Sequence, residues 1–457
     1  MTFINRDHEL RMLDAWWNRR GSALGLVWGR RRVGKTALLQ RFSDGRRAIL
    51  HTGSGRPVPD ELRALSQAAA PQLRGTLRDL NLRPFVDWAD ALEALAAAAE
   101  DEPLLLVLDE FPELVQVARD LPSVLRALWD RVRSRTQLRV LLCGSAVRTM
   151  EAIQEQQAPL YGRLDLTLML HPFRPHEAAR MLPHLTPADR ALVWGLVGGV
   201  LLYLEWWDQR AGVSENLARL ACTPGGLLLT EGELVLATEG DSGDLGRQVL
   251  YAIAAGRTKH SEIADAVRAE PGRTLDRMVE LRLIERIAPV TEDPRRTRRR
   301  SYRIADNFLA FWLGVLARYR ADIERDLGRS ILPVLIEGLD DHLGPRWEEA
   351  FRIHLRQMAD RGELGSGIVA IGPFWTAADD PSEIDAVALV GRDRAAGLVG
   401  EAKWARRVDA TRIRRELERK VRALPAVRDD LRYAICAREE VSAAGDALVV
   451  TAADIFA

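Results

Sequence analysis

The sequence predicts an α/β protein: a parallel sheet with flanking helices, then a helical segment, a small three-helix unit with a β-ribbon, and a second α/β unit at the C-terminal end. Three observations predict it. The apolar run Leu24-Gly25-Leu26-Val27-Trp28 passes through a glycine turn into Ala37-Leu38-Leu39-Gln40-Arg41-Phe42, which reads as strand, turn and helix. The stretch from Pro103 to Leu108 is apolar throughout and ends in Asp109-Glu110, as suits a parallel strand buried on both faces. Beyond residue 240, helical periodicity over 245–281 gives way to short strands, and a hairpin pattern follows at 383–403.

In chain order, residues 7 to 20 read as an amphipathic helix with Asn5 as its cap and Leu10, Leu13 and Trp17 on one face. Next comes Gly29-Arg30-Arg31-Arg32-Val33-Gly34-Lys35-Thr36, which satisfies G-x-x-x-x-G-K-[ST] between the strand and helix that this pattern requires. Its glycines let backbone N–H groups turn inward around phosphates, and the helix N-terminus adds partial positive charge. Lys35 then reaches β- and γ-phosphate oxygens, and the Thr36 hydroxyl is placed to ligate Mg2+. Residues 48–51 form a short strand and 60–100 an Ala/Leu-rich helical stretch. Asp109, at the C-terminal edge of its strand, would hold magnesium, and Glu110 would orient the attacking water; the alternative is that both cap the next segment. Strands follow at 139–145 and 164–170. Ser145 is either a γ-phosphate sensor or a turn former, and Arg163 is a candidate transition-state arginine.

From His171 to Leu236 the pattern is helical and rich in tryptophan, as in a lid packed on the nucleotide module. Residues 245–305 read as three helices and a wing, whose tip, Arg295 to Arg300, carries five arginines that could face DNA phosphates. The third helix, in the place of a recognition helix, offers only Arg273 and Arg277 against Asp276 and Glu280, so base-specific reading is not expected. A helix over 306–327 bridges to the tail. The expected divisions are 1–170, 171–240, 241–327 and 328–457.

The tail holds a second constellation. Glu383 to Leu389 and Leu398 to Lys403 form a hairpin; pairing Gly391 with Gly397 sets Asp385 opposite Lys403 and diagonal to Glu401, at Cβ separations of about 5 Å and roughly 7–8 Å. Buried carboxylates need compensation, and a divalent metal on Asp385 and Glu401 supplies it. Glu348, on an upstream acidic helix face, completes a Glu … Asp … Glu-x-Lys set, with Lys403 steering the nucleophile. A surface salt bridge between Glu401 and Lys403 explains the same letters.

Composition bounds these readings. The 457 residues carry 65 basic and 65 acidic side chains, so no whole-molecule field advertises a polyanionic partner. Only four of the basic residues are lysines, Lys35, Lys259, Lys403 and Lys420, which marks the surviving ammonium groups as chosen. Three scattered cysteines suit a reducing cytoplasm, and the longest uncharged stretch, Ala191 to Leu204, is too short to span a bilayer, so a cytoplasmic protein without a membrane partner is expected.

Phe3-Ile4-Asn5-Arg6, the loop 29–36, Leu108-Asp109-Glu110-Phe111 and Leu160-Tyr161-Gly162-Arg163 resemble the archaeal-type ATPase family, within the branch of P-loop ATPases that includes AAA+ and STAND proteins. Gly198-Gly199-Val200 with Tyr203-Leu204 is similar to that family's lid motif, although Leu201 replaces its usual proline. The winged helix, Asp306 to Trp312 and Glu383-Ile384-Asp385 look like the family's C-terminal half, whose last domain is similar to restriction-endonuclease-like PD-(D/E)XK nucleases. The resemblance implies Lys35, Thr36, Asp109 and Glu110 for ATP and Mg2+, and Glu348, Asp385, Glu401 and Lys403 for a phosphodiester site acting on DNA. The competing expectation is a STAND-like scaffold that forms nucleotide-dependent homo-oligomers and keeps the nuclease fold without its activity.

Overall fold

The computed structural model describes residues 3–73, 78–239, 243–376 and 382–457. The chain divides into two compact units, residues 1–172 and 173–457. In the first, strands β1 (Ala23–Trp28), β2 (Ala48–Thr52), β3 (Leu104–Asp109), β4 (Leu138–Gly144) and β5 (Leu166–Met169) form a parallel sheet in the order β2-β3-β4-β1-β5. Every residue of β1, β3 and β4 is buried. Alternation explains why: Leu24, Leu26, Leu106 and Leu108 feed one core, while Val27, Leu105, Val107 and Leu141 feed another against helices α1 (Asp7–Trp17) and α2 (Lys35–Ser43).

Two expectations change here. Asn5 is not the cap of α1; the chain enters that helix through Arg6, at φ 65°, with no side-chain cap. The stretch 60–100 is two helices, Val58–Ala69 and Trp88–Ala97, the second capped by the Asp87 carboxylate, which accepts from the Asp90 N–H. Residues 74–77 of that stretch lie outside the described residues.

In the second unit, helices α3 (Gly243–Ala254), α4 (His260–Val267) and α5 (Gly272–Glu280) precede the antiparallel ribbon β6 (Ile284–Ile287) and β7 (Ser301–Ile304), the expected three helices and wing. The long helix α6 (Leu339–Asp360) leads into β8 (Ile368–Trp375), β9 (Glu383–Val390) and β10 (Ala395–Lys403). Then come β11 (Arg407–Asp409), α7 (Ala410–Lys420), β12 (Val427–Ala437), β13 (Glu440–Ser442) and β14 (Leu448–Val450). The mixed sheet runs β14-β12-β10-β9-β8, antiparallel across β8, β9 and β10 and parallel across β10, β12 and β14. Ile413 and Leu417 of α7 cover one face with Val387 and Val399. On the other, Gly400 lets the Phe351 ring of α6 approach: a Cβ there would meet it at 2.9 Å.

Residues from Phe173 onward, including the expected lid, share one apolar cluster with the winged helix and α6. The lid therefore belongs to the second unit, and the expected divisions after 240 and 327 are not breaks between compact bodies; residue 240 itself lies outside the described residues. The helix expected over 306–327 begins under an Asp306 cap but is interrupted at Arg325 and Asp326, whose backbone is not helical.

Candidate functional site

At the C-terminal end of β1 the chain turns at Gly29, where a Cβ would stand 2.3 Å from the Leu170 carbonyl oxygen, so only glycine fits. Helix α2 begins at Lys35 behind Gly34, at φ 89°, with no side chain capping its first turn. Those N–H groups are left for an anion. The Lys35 ammonium is buried and donates to the carbonyl oxygens of Gly29 (3.0 Å) and Arg30 (2.8 Å), partners that phosphate oxygens can replace. Arg30, Arg31, Arg32 and Val33 form the span of the loop, with Arg32 itself at φ 68°.

Thr36 Oγ1 donates to Asp109 Oδ2 at 2.8 Å, across a sheet in which β4 separates β1 from β3. Hydroxyl and carboxylate thus face one point. Among the described residues, no group of three or more His, Cys, Asp or Glu side chains is arranged to hold a metal ion. Thr36 with Asp109 fits magnesium all the same, since that ion takes one or two protein oxygens and completes its shell with water and substrate phosphate. Glu110 leaves β3 in the left-handed region, at φ 47°, which aims its carboxylate at the tip of β4. There Ser145 Oγ donates to Glu110 Oε1 (3.1 Å) and Oε2 (3.0 Å). Ser145 is therefore a positioning group for Glu110. Replacing it with alanine lowers kcat for ATP on the order of tenfold to a hundredfold while leaving nucleotide affinity unchanged, a split that steady-state kinetics and equilibrium nucleotide binding read separately.

Arg163 is not brought to this site. The β1–β5 register pairs Gly25 with Leu166, so Arg163 lies level with the start of β1, the edge opposite the loop. The six residues of β1 span about 20 Å. Arg163 instead grips Asp130 through two contacts of 2.8 Å. The N-terminal segment supplies what sequence reasoning missed: buried Arg6 donates to the Val33 carbonyl (2.9 Å) and the His171 carbonyl (2.7 Å), pinning the loop from behind. The signal was the Asn5-Arg6 pair, read as a helix entry and as part of the family resemblance but not as a brace for the loop.

In the C-terminal sheet the hairpin register differs from expectation. Ala395 pairs with Val390, an irregularity at Gly397 shifts the ladder, and Val399 then pairs with Val387 and Gly400 with Ala386. One step further sets Glu401, not Lys403, opposite Asp385. Both carboxylates are buried, and Asp385 Oδ2 accepts from the Ala402 N–H at 2.8 Å. Burial, then the charges of Glu348 and Glu401, push the Asp385 carboxyl up to about 8. Burial likewise raises Glu348, with Glu383 and Glu401 adding to it against the opposing Arg352. Glu348, Glu401 and Lys403 thus all act electrostatically on Asp385.

Lys403 Nζ donates to Glu401 Oε1 at 2.7 Å from the exposed rim. Lys420, from the end of α7, donates to both Glu401 oxygens at 3.0 Å. Lys420 was missed, and the scarcity of lysine was the signal: three of the four lysines meet at these two sites. Beneath them, buried Arg352 donates to the Asp385 carbonyl at 2.7 Å and lies 3.6 Å from Glu348.

The wing is engaged within its own unit. The Val290 N–H donates to the Pro373 carbonyl (2.8 Å) and Arg394 to the Val290 carbonyl (2.9 Å), so the wing covers the edge strand β8. Arg299 is paired with Glu292 and donates to the Trp375 carbonyl, which corrects the expectation that all five wing arginines face phosphates; Arg295, Arg296 and Arg298 stay exposed.

With this geometry in hand, comparison with known proteins decides the first unit. Residues 3–205 match the family of ATPase domains described as predominantly from Archaea. The chain carries an ATPase domain of that family. A match over residues 312–414 is to a family described as archaeal and bacterial proteins of unknown function. An uncharacterised protein of Methanocaldococcus jannaschii is 24% identical over 98% of this chain and 98% of its own. An uncharacterised ATP-binding protein of the same organism is 42% identical over 45 residues, 10% of this chain and 76% of its own. A Walker-type ATPase of Pyrococcus abyssi has a similar fold, with a TM-score of 0.52 and 20% identity over 68% of this chain and 96% of its own. Lys35, Thr36, Asp109 and Glu110 all lie within the matched span. That match leaves the mixed sheet around Asp385 without an assigned role. No helix among the described residues is long and apolar enough to cross a membrane, and the three cysteines are buried free thiols.

Proposed function

We propose that the protein is a Mg-ATP-hydrolysing switch whose C-terminal mixed-sheet domain holds a cation-dependent site for cleaving DNA phosphodiesters. The observation that carries the reading is the placement of three of the chain's four lysines at two sites: Lys35 inside the loop whose Thr36 meets Asp109, and Lys403 and Lys420 on Glu401 beside Asp385. In the ATPase domain, Lys35 would exchange its carbonyl partners for β- and γ-phosphate oxygens, and Thr36 and Asp109 would hold Mg2+. Glu110, fixed by Ser145, orients a water for in-line attack and accepts its proton. Magnesium there neutralises charge on the transferring phosphoryl group.

In the tail, Asp385 and Glu401 are the candidate ligands, and the crowding of these two buried carboxyls with the half-buried Glu348 supports that role, since a divalent cation would relieve it. Bound there, a cation would polarise the phosphodiester and acidify a water. Lys403 faces outward to meet the scissile phosphate, and Lys420 holds both Glu401 oxygens in place. The test is incubation with plasmid and short duplexes, with and without Mg2+ or Mn2+ and ATP. Metal-dependent cleavage lost in Lys403→Ala supports the reading, and its absence under every condition overturns the cutting half.

A second reading follows from one observation: both Glu401 oxygens are already paired with ammonium groups. On this reading the tail is an ion-paired scaffold that binds DNA or protein, and ATP drives homo-oligomerisation. Sizing chromatography with and without ATP distinguishes it, because only a scaffold changes size while leaving nucleic acid intact.

A further inference from the structure

Helix α7 turns two faces to two different tasks. Ala410, Ile413 and Leu417 are buried, and Lys420 reaches inward to Glu401. Arg412, Arg415 and Arg419 point the other way, with Arg422 continuing the line in the one-turn extension Val421–Ala423. At 100° per residue these four directions fall within about 80°, and at 1.5 Å rise they extend over about 15 Å. All four are exposed.

The helix's own glutamates do not neutralise them. Glu416 is taken by Lys420 at 3.2 Å and Glu418 by Arg414 at 3.2 Å. The arginines just before α7 differ: Arg406 and Arg407 are each paired, with Glu439 and Glu440 at 2.9 Å. No acidic partner within ion-pair distance is recorded among the described residues for Arg412, Arg415, Arg419 or Arg422. In a chain whose charges sum to zero, this leaves a straight stripe of four uncompensated guanidinium groups on a rigid helix.

We propose that the outward face of α7, rather than the wing, is the surface that holds duplex DNA by its phosphate backbone. Planar guanidinium groups pair well with phosphate oxygens, and a stripe without aromatic or amide side chains carries no base reading. A lipid surface is the poorer fit, because the apolar side of α7 is committed to the core and leaves nothing to insert. The inference rests on DNA being a partner of the tail but not on the tail cutting it. It moves the contact away from the β6–β7 loop, where Arg299 is already paired with Glu292 and Val290 is bound to β8.

The test is fluorescence anisotropy of a 20-base-pair duplex with the full-length protein in EDTA, titrated at several salt concentrations. In the variant with Arg412, Arg415, Arg419 and Arg422 all replaced by glutamine, affinity falls on the order of a hundredfold, and the slope of log affinity against log salt decreases by about three to four units, nearly one per contact. A variant with Arg295, Arg296 and Arg298 replaced by glutamine keeps the wild-type slope. An unchanged thermal midpoint shows that the α7 variant is folded. If wild-type protein binds DNA and the α7 variant binds it with the same slope, the inference falls alone. If wild-type protein binds no duplex at any salt, the DNA reading falls with it, and stronger binding to anionic vesicles or to an acidic polypeptide than to DNA likewise overturns it.

Discussion

Lys35→Ala abolishes ATP turnover, with kcat/KM down on the order of a thousandfold or more. The ammonium is buried, 2.8 to 3.0 Å from two carbonyl oxygens of the loop it serves, and no other lysine lies in the first unit. Loss of one preorganised cation or donor aimed at developing charge costs about 3–4 kcal/mol, which already gives a factor of 10²–10³, and the nucleotide also loses ground-state affinity. Arginine does not rescue: its planar fork is larger than the point charge that fits between the Gly29 and Arg30 carbonyls. Phosphate-release kinetics measure the first effect and calorimetric nucleotide binding the second. Wild-type turnover in Lys35→Ala would remove the loop from the mechanism.

Asp385→Asn separates the two halves of the protein. On the proposed reading of the tail it abolishes cleavage, and it spares ATP hydrolysis because Asp385 and the loop belong to different compact units. The same substitution raises, not lowers, the stability of the metal-free protein at neutral pH. Burial and the charges of Glu348 and Glu401 hold the Asp385 carboxyl near 8, far above its value in an unfolded chain. The folded state therefore binds the extra proton between about pH 4 and pH 8, and stability from this group is lost as pH rises through that window. In EDTA, wild-type protein has a melting temperature that falls from pH 5 to pH 8, and Asp385→Asn flattens that fall. The asparagine side-chain oxygen still accepts from the Ala402 N–H, so the hairpin is kept. A variant less stable than wild type at pH 8 without metal would mean that the carboxylates are held by cations already present in the fold.

Much of the nucleotide site was legible because its chemistry is local. Gly29, Gly34, Lys35 and Thr36 lie within eight residues, and Asp109 follows an apolar run that can only be a buried strand. What was not legible depends on strand order. The placement of β4 between β1 and β3 brings Ser145 to Glu110, and the parallel register of β5 sends Arg163 to the far edge; neither is written in any single segment. The tail shows the same division. Its carboxylates could be named from hairpin spacing, but the irregularity at Gly397 changed which of them face each other, since one skipped residue shifts every later pair. Lys420 reaches Glu401 from 19 residues away on a helix, a contact that periodicity alone does not give. The wing was read as an exposed basic tip because its composition is that of one, and the backbone bonds to Pro373 that hold it to β8 carry no compositional mark.

The claim beneath the account is that this chain has two separate places for a hard cation, one completed by nucleotide and one not. Mn2+ titration monitored by electron paramagnetic resonance, with and without a non-hydrolysable ATP analogue, tests it most directly. One bound ion is expected without nucleotide, lost in Asp385→Asn, and a second that appears with nucleotide and is lost in Asp109→Asn. A single ion, seen only with nucleotide and untouched by Asp385→Asn, would contradict it.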